Sequence, residues 1–190
     1  MDTPPIIYTV GHSNASLEHF LALLQSHDIA LLVDTRSYPA SRYVPHFGRH
    51  RLEQALSDVG VRYCYLGDKL GGRPRSLDFY GPDGKVDYDL IEAGASYQEG
   101  IEQLMEETRR GGSRTAPIRV CLLCSEEDPL RCHRRNLIAR TLVRQGGSVQ
   151  HIGGDGRLES EEEVRQREAR MIRPPRQASG KGGRRQTRLL

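Results

Sequence analysis

The chain has 190 residues and a formal net charge of +3, and its length favours one domain large enough to bury a core. No apolar run reaches the roughly 18 to 20 residues of a membrane-spanning helix, which argues against a membrane protein. Residues 1–9 lack the basic segment and small-residue cleavage site of a secretory signal. We therefore expect a cytoplasmic protein without a membrane partner.

Strands and helices are predicted to alternate through the first half of the chain. Short apolar runs predict strands at residues 6–10, 29–33 and 61–66. Apolar residues at helical spacing predict one helix between the first two strands, capped by Asn14 or Ser16, and another between the second and third.

The second half continues this alternation after a long segment. Residues 67–89 hold seven Gly or Pro and no regular period, so we predict a functional or mobile loop there. Helices are predicted around residues 97–105 and after an Asp-Pro pair at 128–129, with strands at 118–123 and 149–152. The alternation predicts an α/β fold with a mainly parallel sheet of about five strands.

The charge is concentrated at the C-terminal end of the chain. Residues 164–190 hold nine Lys or Arg against one Glu, a net charge of +8, which leaves −5 for the rest. We predict a domain at 1–158 and a basic, largely disordered tail at 159–190. The first part of the tail, residues 159–173, is rich enough in Glu, Arg and Ala to form a helix but has too few apolar residues to pack strongly. Its charge indicates either a nucleic-acid contact or a solubilising extension.

Polar residues cluster where four of the predicted strands end. Because parallel strands present their carboxyl ends at one edge of a sheet, we predict that these residues share one pocket. They are His12, Ser13 and Asn14 after the first strand, Asp34, Arg36 and Arg42 after the second, Gly71, Gly72 and Arg73 after the third, and Cys124, Glu126, Arg131, Cys132, His133 and Arg134 after the fourth.

These clusters together resemble one known family. The motifs are Val-Gly-His-Ser-Asn at 10–14, Leu-Val-Asp-Thr-Arg at 32–36 followed by Pro39 and Ser41-Arg42, Leu-Gly-Gly-Arg at 70–73, and Cys-Ser-Glu at 124–126 followed by Cys-His-Arg at 132–134. They are similar to the domain of unknown function 488 family over roughly residues 6–152. The resemblance implies a Rossmann-like, three-layer α/β domain and no particular activity.

The first three clusters each allow two interpretations. Residues 12–14 either cap the first helix or bind a ligand. Asp34 and Arg36 form a structural ion pair, or Asp34 is a general base while Arg36 and Arg42 bind an anion. The two glycines before Arg73 form either a simple turn or a backbone cradle for an anion.

The cysteine cluster allows three interpretations. Cys121 and Cys124 would face opposite sides of a regular strand, so we predict that Cys121 is a core residue. Cys124, Cys132 and His133 either bind a divalent metal, comprise a nucleophile with its base, or are buried structural residues.

Three functions follow from these patterns. The first is an enzyme acting on a nucleotide or nucleic acid by hydrolytic or N-glycosidic chemistry, the second is a nucleic-acid-binding module that uses the basic tail, and the third is a metal-binding or redox protein. The enzyme hypothesis assigns catalysis to His12, Asp34, Cys124 and Glu126. It assigns substrate binding to Ser13, Asn14, Arg36, Arg42, Gly71, Gly72, Arg73, Arg131 and Arg134.

Overall fold

A computed structural model describes residues 6–110 and 118–172 of the chain. Its sheet has six strands: β1 (Ile6–Gly11), β2 (Ile29–Asp34), β3 (Arg62–Tyr65), β4 (Arg119–Cys124), β5 (Ser148–Ile152) and β6 (Leu158–Ser160). Their order is β3-β2-β4-β1-β5-β6, and every neighbouring pair is parallel except the antiparallel pair of β5 and β6. The predicted α/β fold with a mainly parallel sheet is confirmed, with one more strand at its edge.

Seven α-helices connect or flank these strands within the described residues. They are α1 (Leu17–Ser26), α2 (Arg49–Asp58), α3 (Gly67–Leu70), α4 (Tyr88–Ala93), α5 (Ala95–Arg110), α6 (Arg140–Arg144) and α7 (Glu161–Ile172), and a π-helix (Arg134–Ala139) leads into α6. Short 3₁₀ turns lie at Pro45–Phe47, Leu77–Phe79 and Pro129–Arg131. The segment at 67–89, predicted to be a loop, therefore contains α3, a 3₁₀ turn and the start of α4. No helix in the described part of the chain has the length and apolar character needed to cross a membrane.

Helices cover both faces of the sheet, which gives the three layers expected of a Rossmann-like domain. On one face α1, α2 and the 3₁₀ turn before α2 pack on the strands through Phe20, Leu24, Phe47, Leu52 and Leu56. On the other face α3 to α6 and the π-helix contribute Leu70, Ile91, Ile101, Leu104, Leu137, Ile138 and Leu142. Because the central strands are covered on both sides, their side chains are almost all apolar and fully buried.

Ordered structure continues past residue 158, where the sequence predicts the end of the domain. The strand β6 pairs with β5, and α7 buries Val164 completely. Most of its attachment is ionic, however, because the Glu161 carboxylate accepts hydrogen bonds from Arg135 Nε at 2.8 Å and from His151 Nε2 at 2.9 Å. Counting apolar residues could not detect this anchor. Residues 173–190 of the predicted tail lie outside the described residues.

Glu161 is expected to be the main polar anchor of α7. The change Glu161→Ala leaves the buried guanidinium of Arg135 and the buried imidazole of His151 short of a partner, so we expect a loss of about 2 kcal/mol in unfolding free energy. Urea denaturation followed by circular dichroism measures it. The control is Glu162→Ala on the same helix, where the side chain is exposed and pairs only with its neighbours. Equal urea midpoints for the two variants would contradict this assignment.

Candidate active site

The loops that follow the strands meet around one cavity of about 560 Å³ at the carboxyl end of the sheet. Its wall contains most of the residues predicted for a common pocket, namely His12, Ser13, Asn14, Arg36, Gly72, Arg73, Cys124, Glu126, Arg131, Cys132 and His133. The first helix is capped by Ser16, whose side chain accepts the His19 amide at 3.2 Å. The residues at 12–14 are therefore not needed as caps and remain available to the cavity.

Four predicted site residues do not line this cavity: Asp34, Arg42, Gly71 and Arg134. The sequence placed them beside the right strand ends, but their side chains or backbone face elsewhere. Asp34 and Arg134 are fully buried beneath the cavity, and Arg42 is exposed on the loop beside it. Their roles follow from the contacts they make.

Cys124 and His133 form the central contact of the cavity. Cys124 is the last residue of β4, and its Sγ lies 3.5 Å from His133 Nδ1. The other ring nitrogen, Nε2, lies 3.0 Å from the carbonyl oxygen of Thr35. A carbonyl only accepts, so Nε2 carries a proton and Nδ1 is the nitrogen that faces the thiol. This is the arrangement of a reactive thiol, a base and a group that orients the base.

Cys132 makes Cys124 the charged member of a thiol pair. The hydrogen bond from the Cys132 thiol is the largest of the influences that lower the pKa of Cys124 well below its ordinary value. Burial acts in the opposite direction, and His133 and the Glu126 amide lower the pKa further. Burial, together with the negative charge on Cys124, raises the pKa of Cys132. The contacts of this pair therefore favour a negative charge on Cys124 and a proton on Cys132.

Arg134 fixes the loop that carries Glu126. Its buried guanidinium donates to the carbonyl oxygens of Glu126 and Glu127, and its Nε donates to Thr9 Oγ1 at 3.2 Å. These bonds turn two loop carbonyls inward, and the Glu126 amide is left free to hydrogen-bond the Cys124 sulfur. Arg134, predicted to bind substrate, is buried and does not line the cavity, and the contacts that the structure shows for its guanidinium hold this loop.

Asp34 is occupied as a structural ion-pair partner. Its Oδ1 accepts the amide and Nε of Arg36 at 3.0 and 2.9 Å, and its Oδ2 accepts Arg36 Nη2 at 2.6 Å and the Tyr63 hydroxyl at 2.8 Å. With both oxygens engaged and no exposed surface, this carboxylate has no lone pair directed toward a substrate. Of the two interpretations of this pair, the geometry favours the structural one. Asp34 orients Arg36 at the cavity wall.

His12 is held as a neutral acceptor. Its Nδ1 lies 2.9 Å from the Ser13 carbonyl oxygen and must donate to it, so Nε2 accepts Arg36 Nη1 at 3.2 Å. Burial, and to a smaller extent the charge of Arg36, lower the pKa of His12. The ring also stacks on Phe47 with 4.3 Å between centroids. Both nitrogens are therefore in use, and His12 supports Arg36.

The absence of a side chain at Gly72 leaves space for the imidazole ring of His133. A Cβ built on Gly72 would lie 2.5 Å from Cβ and Cγ of His133 and 2.9 Å from Nδ1. A Cβ on Gly71 would meet the Gly67 carbonyl oxygen and Ser37 Oγ at 2.3 Å. Close packing thus accounts for both glycines without an anion cradle, and the ring at the centre of the site determines the residue at position 72.

The family assignment covers the site segments that follow β2, β3 and β4 but begins after His12. The sequence profile described as Domain of unknown function DUF488 matches residues 16–141, more than half of the chain. The chain belongs to the DUF488 family. No curated protein and no solved structure matches it.

The structure of this DUF488 domain adds residues that the sequence patterns missed. Tyr38, Tyr43 and Tyr88 line the cavity, and the carbonyl of Thr35 holds His133. Tyr38 and Tyr43 lie in a loop and Tyr88 begins α4, so none of them belongs to a periodic pattern, and a backbone carbonyl has no signature in sequence. Cys121, by contrast, lies fully buried in the core against α1 and α2, as strand alternation predicts.

The Cys124 thiol of this DUF488 domain is expected to react as a thiolate at neutral pH. With iodoacetamide in chelator-containing buffer, its rate should be nearly independent of pH above neutrality, whereas the rate at Cys64 should rise with pH because burial raises the pKa of that thiol. The change Cys132→Ala removes the largest influence on Cys124 and should restore a pH-dependent rate. Mass spectrometry of the labelled peptides measures both rates. A flat profile in Cys132→Ala would contradict the assignment.

Proposed function

We propose that this DUF488 protein is a hydrolase of a phosphate-bearing substrate, a nucleotide or nucleic acid, bound in the cavity at the carboxyl end of its sheet. The observation that supports the proposal is the position of the Cys124–His133 pair in the same cavity as the guanidinium groups of Arg73 and Arg131. The pair supplies the reactive centre, and the arginines supply charge for a phosphate.

The arginines of the cavity differ in how many of their hydrogen-bond donors remain free for a ligand. Arg36 already binds Asp34 and His12, and only its outer surface faces the cavity. Arg73 and Arg131 are exposed and form no ion pair with any residue in the described ranges. Their planar donors remain available for the paired oxygens of a phosphate.

Phosphoester hydrolysis fits the cavity better than cleavage of an N-glycosidic bond. Glycosidic cleavage generally uses a pair of carboxylates. Of the two carboxylates predicted for catalysis, only Glu126 faces the cavity, because Asp34 is turned away and neutralised by Arg36. A thiolate beside an imidazole serves either as a nucleophile or as a metal ligand, and both support attack at a bound phosphate. Glu126, exposed on the cavity wall, is the carboxylate available to transfer protons.

The alternative of a nucleic-acid-binding module that uses the basic tail has less support than the hydrolase. It depends on free positive charge in the tail, but Arg165 and Arg167 at its start already pair with Glu162, Asp128 and Glu159. These pairs neutralise two of the nine positive charges that the sequence offered for nucleic-acid contact.

Hydrolysis is tested with a panel of phosphomonoesters, phosphodiesters and nucleotides, with released phosphate or product as the readout. For an accepted substrate, Cys124→Ser and His133→Gln should each lower kcat by at least about 100-fold. The change Arg73→Gln should mainly raise KM, because its cation binds the phosphate in both ground and transition states. The control is Cys64→Ser, since Cys64 lies outside this cavity.

Two results would overturn the proposal. One is full activity in both Cys124→Ser and His133→Gln, and the other is failure of the folded protein to hydrolyse any member of the panel. Circular dichroism of each variant establishes that a loss of activity does not reflect unfolding.

A further inference from the structure

We propose that Cys124, Cys132 and His133 are the protein ligands of a zinc ion whose fourth coordination position opens into the cavity. The evidence for the zinc site is the geometry of its ligands, and only the use of the site in phosphate chemistry rests on the proposed function. It identifies the reactive centre as a metal-bound thiolate cluster and assigns a purpose to the second cysteine, which a simple thiol–imidazole pair does not need.

The three ligand atoms converge on one point. The two Sγ atoms and His133 Nδ1 all lie within 4.8 Å of one another. Nδ1 is 3.5 Å from Cys124 Sγ and 3.9 Å from Cys132 Sγ. With ordinary zinc–sulfur and zinc–nitrogen bond lengths, the nitrogen–sulfur edge of a tetrahedral site is about 3.6 Å. The two observed nitrogen–sulfur separations therefore fit the edges of a zinc tetrahedron with small adjustments.

The His133 imidazole is oriented by a hydrogen bond of the kind that usually orients a metal-binding histidine. Its Nε2 donates to the Thr35 carbonyl oxygen at 3.0 Å, which leaves the Nδ1 lone pair directed toward both sulfurs. Histidine ligands generally donate their second ring nitrogen to a carbonyl or carboxylate, because this fixes the ring and makes the free nitrogen a better donor to the metal. Gly72 packs against the same ring and limits its movement.

Both sulfurs also accept backbone hydrogen bonds. The amide of Arg134 lies 3.4 Å from Cys132 Sγ, and the amide of Glu126 bonds Cys124 Sγ. Such bonds stabilise the negative charge that both cysteines carry when they bind a metal. The amide that serves Cys132 belongs to the first residue of the π-helix, a form of helix that is often found at functional sites.

The ligand set and its surroundings select a zinc-type ion. Two thiolates and one imidazole suit zinc, whereas magnesium and calcium require oxygen ligands. The charge of the ion cancels that of two thiolates, so the centre is neutral and does not repel the nearby Arg73 and Arg131. All three ligands line the cavity, so a fourth ligand comes from that side, either a water molecule or a phosphate oxygen.

Cobalt substitution tests the site directly. Chelator-treated protein titrated with Co²⁺ should bind one equivalent and develop the sulfur-to-cobalt charge-transfer and visible bands of a tetrahedral thiolate site, and Zn²⁺ should displace it. The changes Cys124→Ser, Cys132→Ser and His133→Ala should each abolish these bands. The change Gly72→Ala, which crowds the ring without altering a ligand, should weaken metal affinity about 10- to 100-fold.

The controls use the two remaining cysteines. The variants Cys64→Ser and Cys121→Ser should bind cobalt like the unaltered protein, since neither thiol lies near the ligand cluster. Retention of the bands in Cys132→Ser, or absence of the bands in fully reduced protein with native circular dichroism, would overturn the zinc site. A Cys124–Cys132 disulfide that persists under reducing conditions would overturn it as well.

The outcomes also separate this inference from the proposed hydrolase. Hydrolysis that survives chelation in protein without cobalt bands would overturn the zinc site and leave the hydrolase standing. A tetrahedral cobalt spectrum in a protein that hydrolyses no member of the panel would support the zinc site and overturn the hydrolase.

Discussion

The guanidinium of Arg134 is the interaction on which the candidate site depends. It is the largest fully buried side chain in the described structure, and a buried cation is costly unless the protein surrounds it with acceptors. Here the acceptors are carbonyls of Glu126 and Glu127 and the hydroxyl of Thr9. The need to solvate one charge therefore fixes the loop beside Cys124.

This network reaches the far edge of the sheet. Thr9 Oγ1, which accepts Arg134 Nε, also lies 2.7 Å from His151 Nδ1, and the opposite nitrogen of His151 contacts Glu161 on α7. The last helix is thus tied by consecutive hydrogen bonds to the residue that holds the loop of the site. Gly11 belongs to the same arrangement, since a Cβ there would collide with the Glu126 carbonyl and the Arg134 guanidinium.

The sequence predicted what depends on periodicity and on strand order. It predicted the parallel sheet and the positions of the turns that bear His12, Arg73 and Cys124, because buried parallel strands are continuous apolar runs and their carboxyl ends share an edge. The composition of residues 159–173 is compatible with a helix, but the sequence could not predict that α7 attaches to the domain, because ion pairs between distant residues such as Arg135 and Glu168 anchor it. Ion pairs of this kind leave no local pattern.

The roles within the site were harder to infer than its location. A sequence identifies Asp34 as a carboxylate near a cavity but not that Tyr63, on the neighbouring strand, and Arg36 occupy its oxygens. Conversely, the sequence is equally compatible with Cys132 and His133 as packed structural residues. The structure shows that their side chains converge with Cys124 on one point. Whether a side chain can react depends on which of its lone pairs remain without a hydrogen-bond partner after folding. For that reason two residues predicted to be catalytic differ after folding: the oxygens of Asp34 are occupied by Arg36 and Tyr63, whereas Cys124 lines the cavity beside His133.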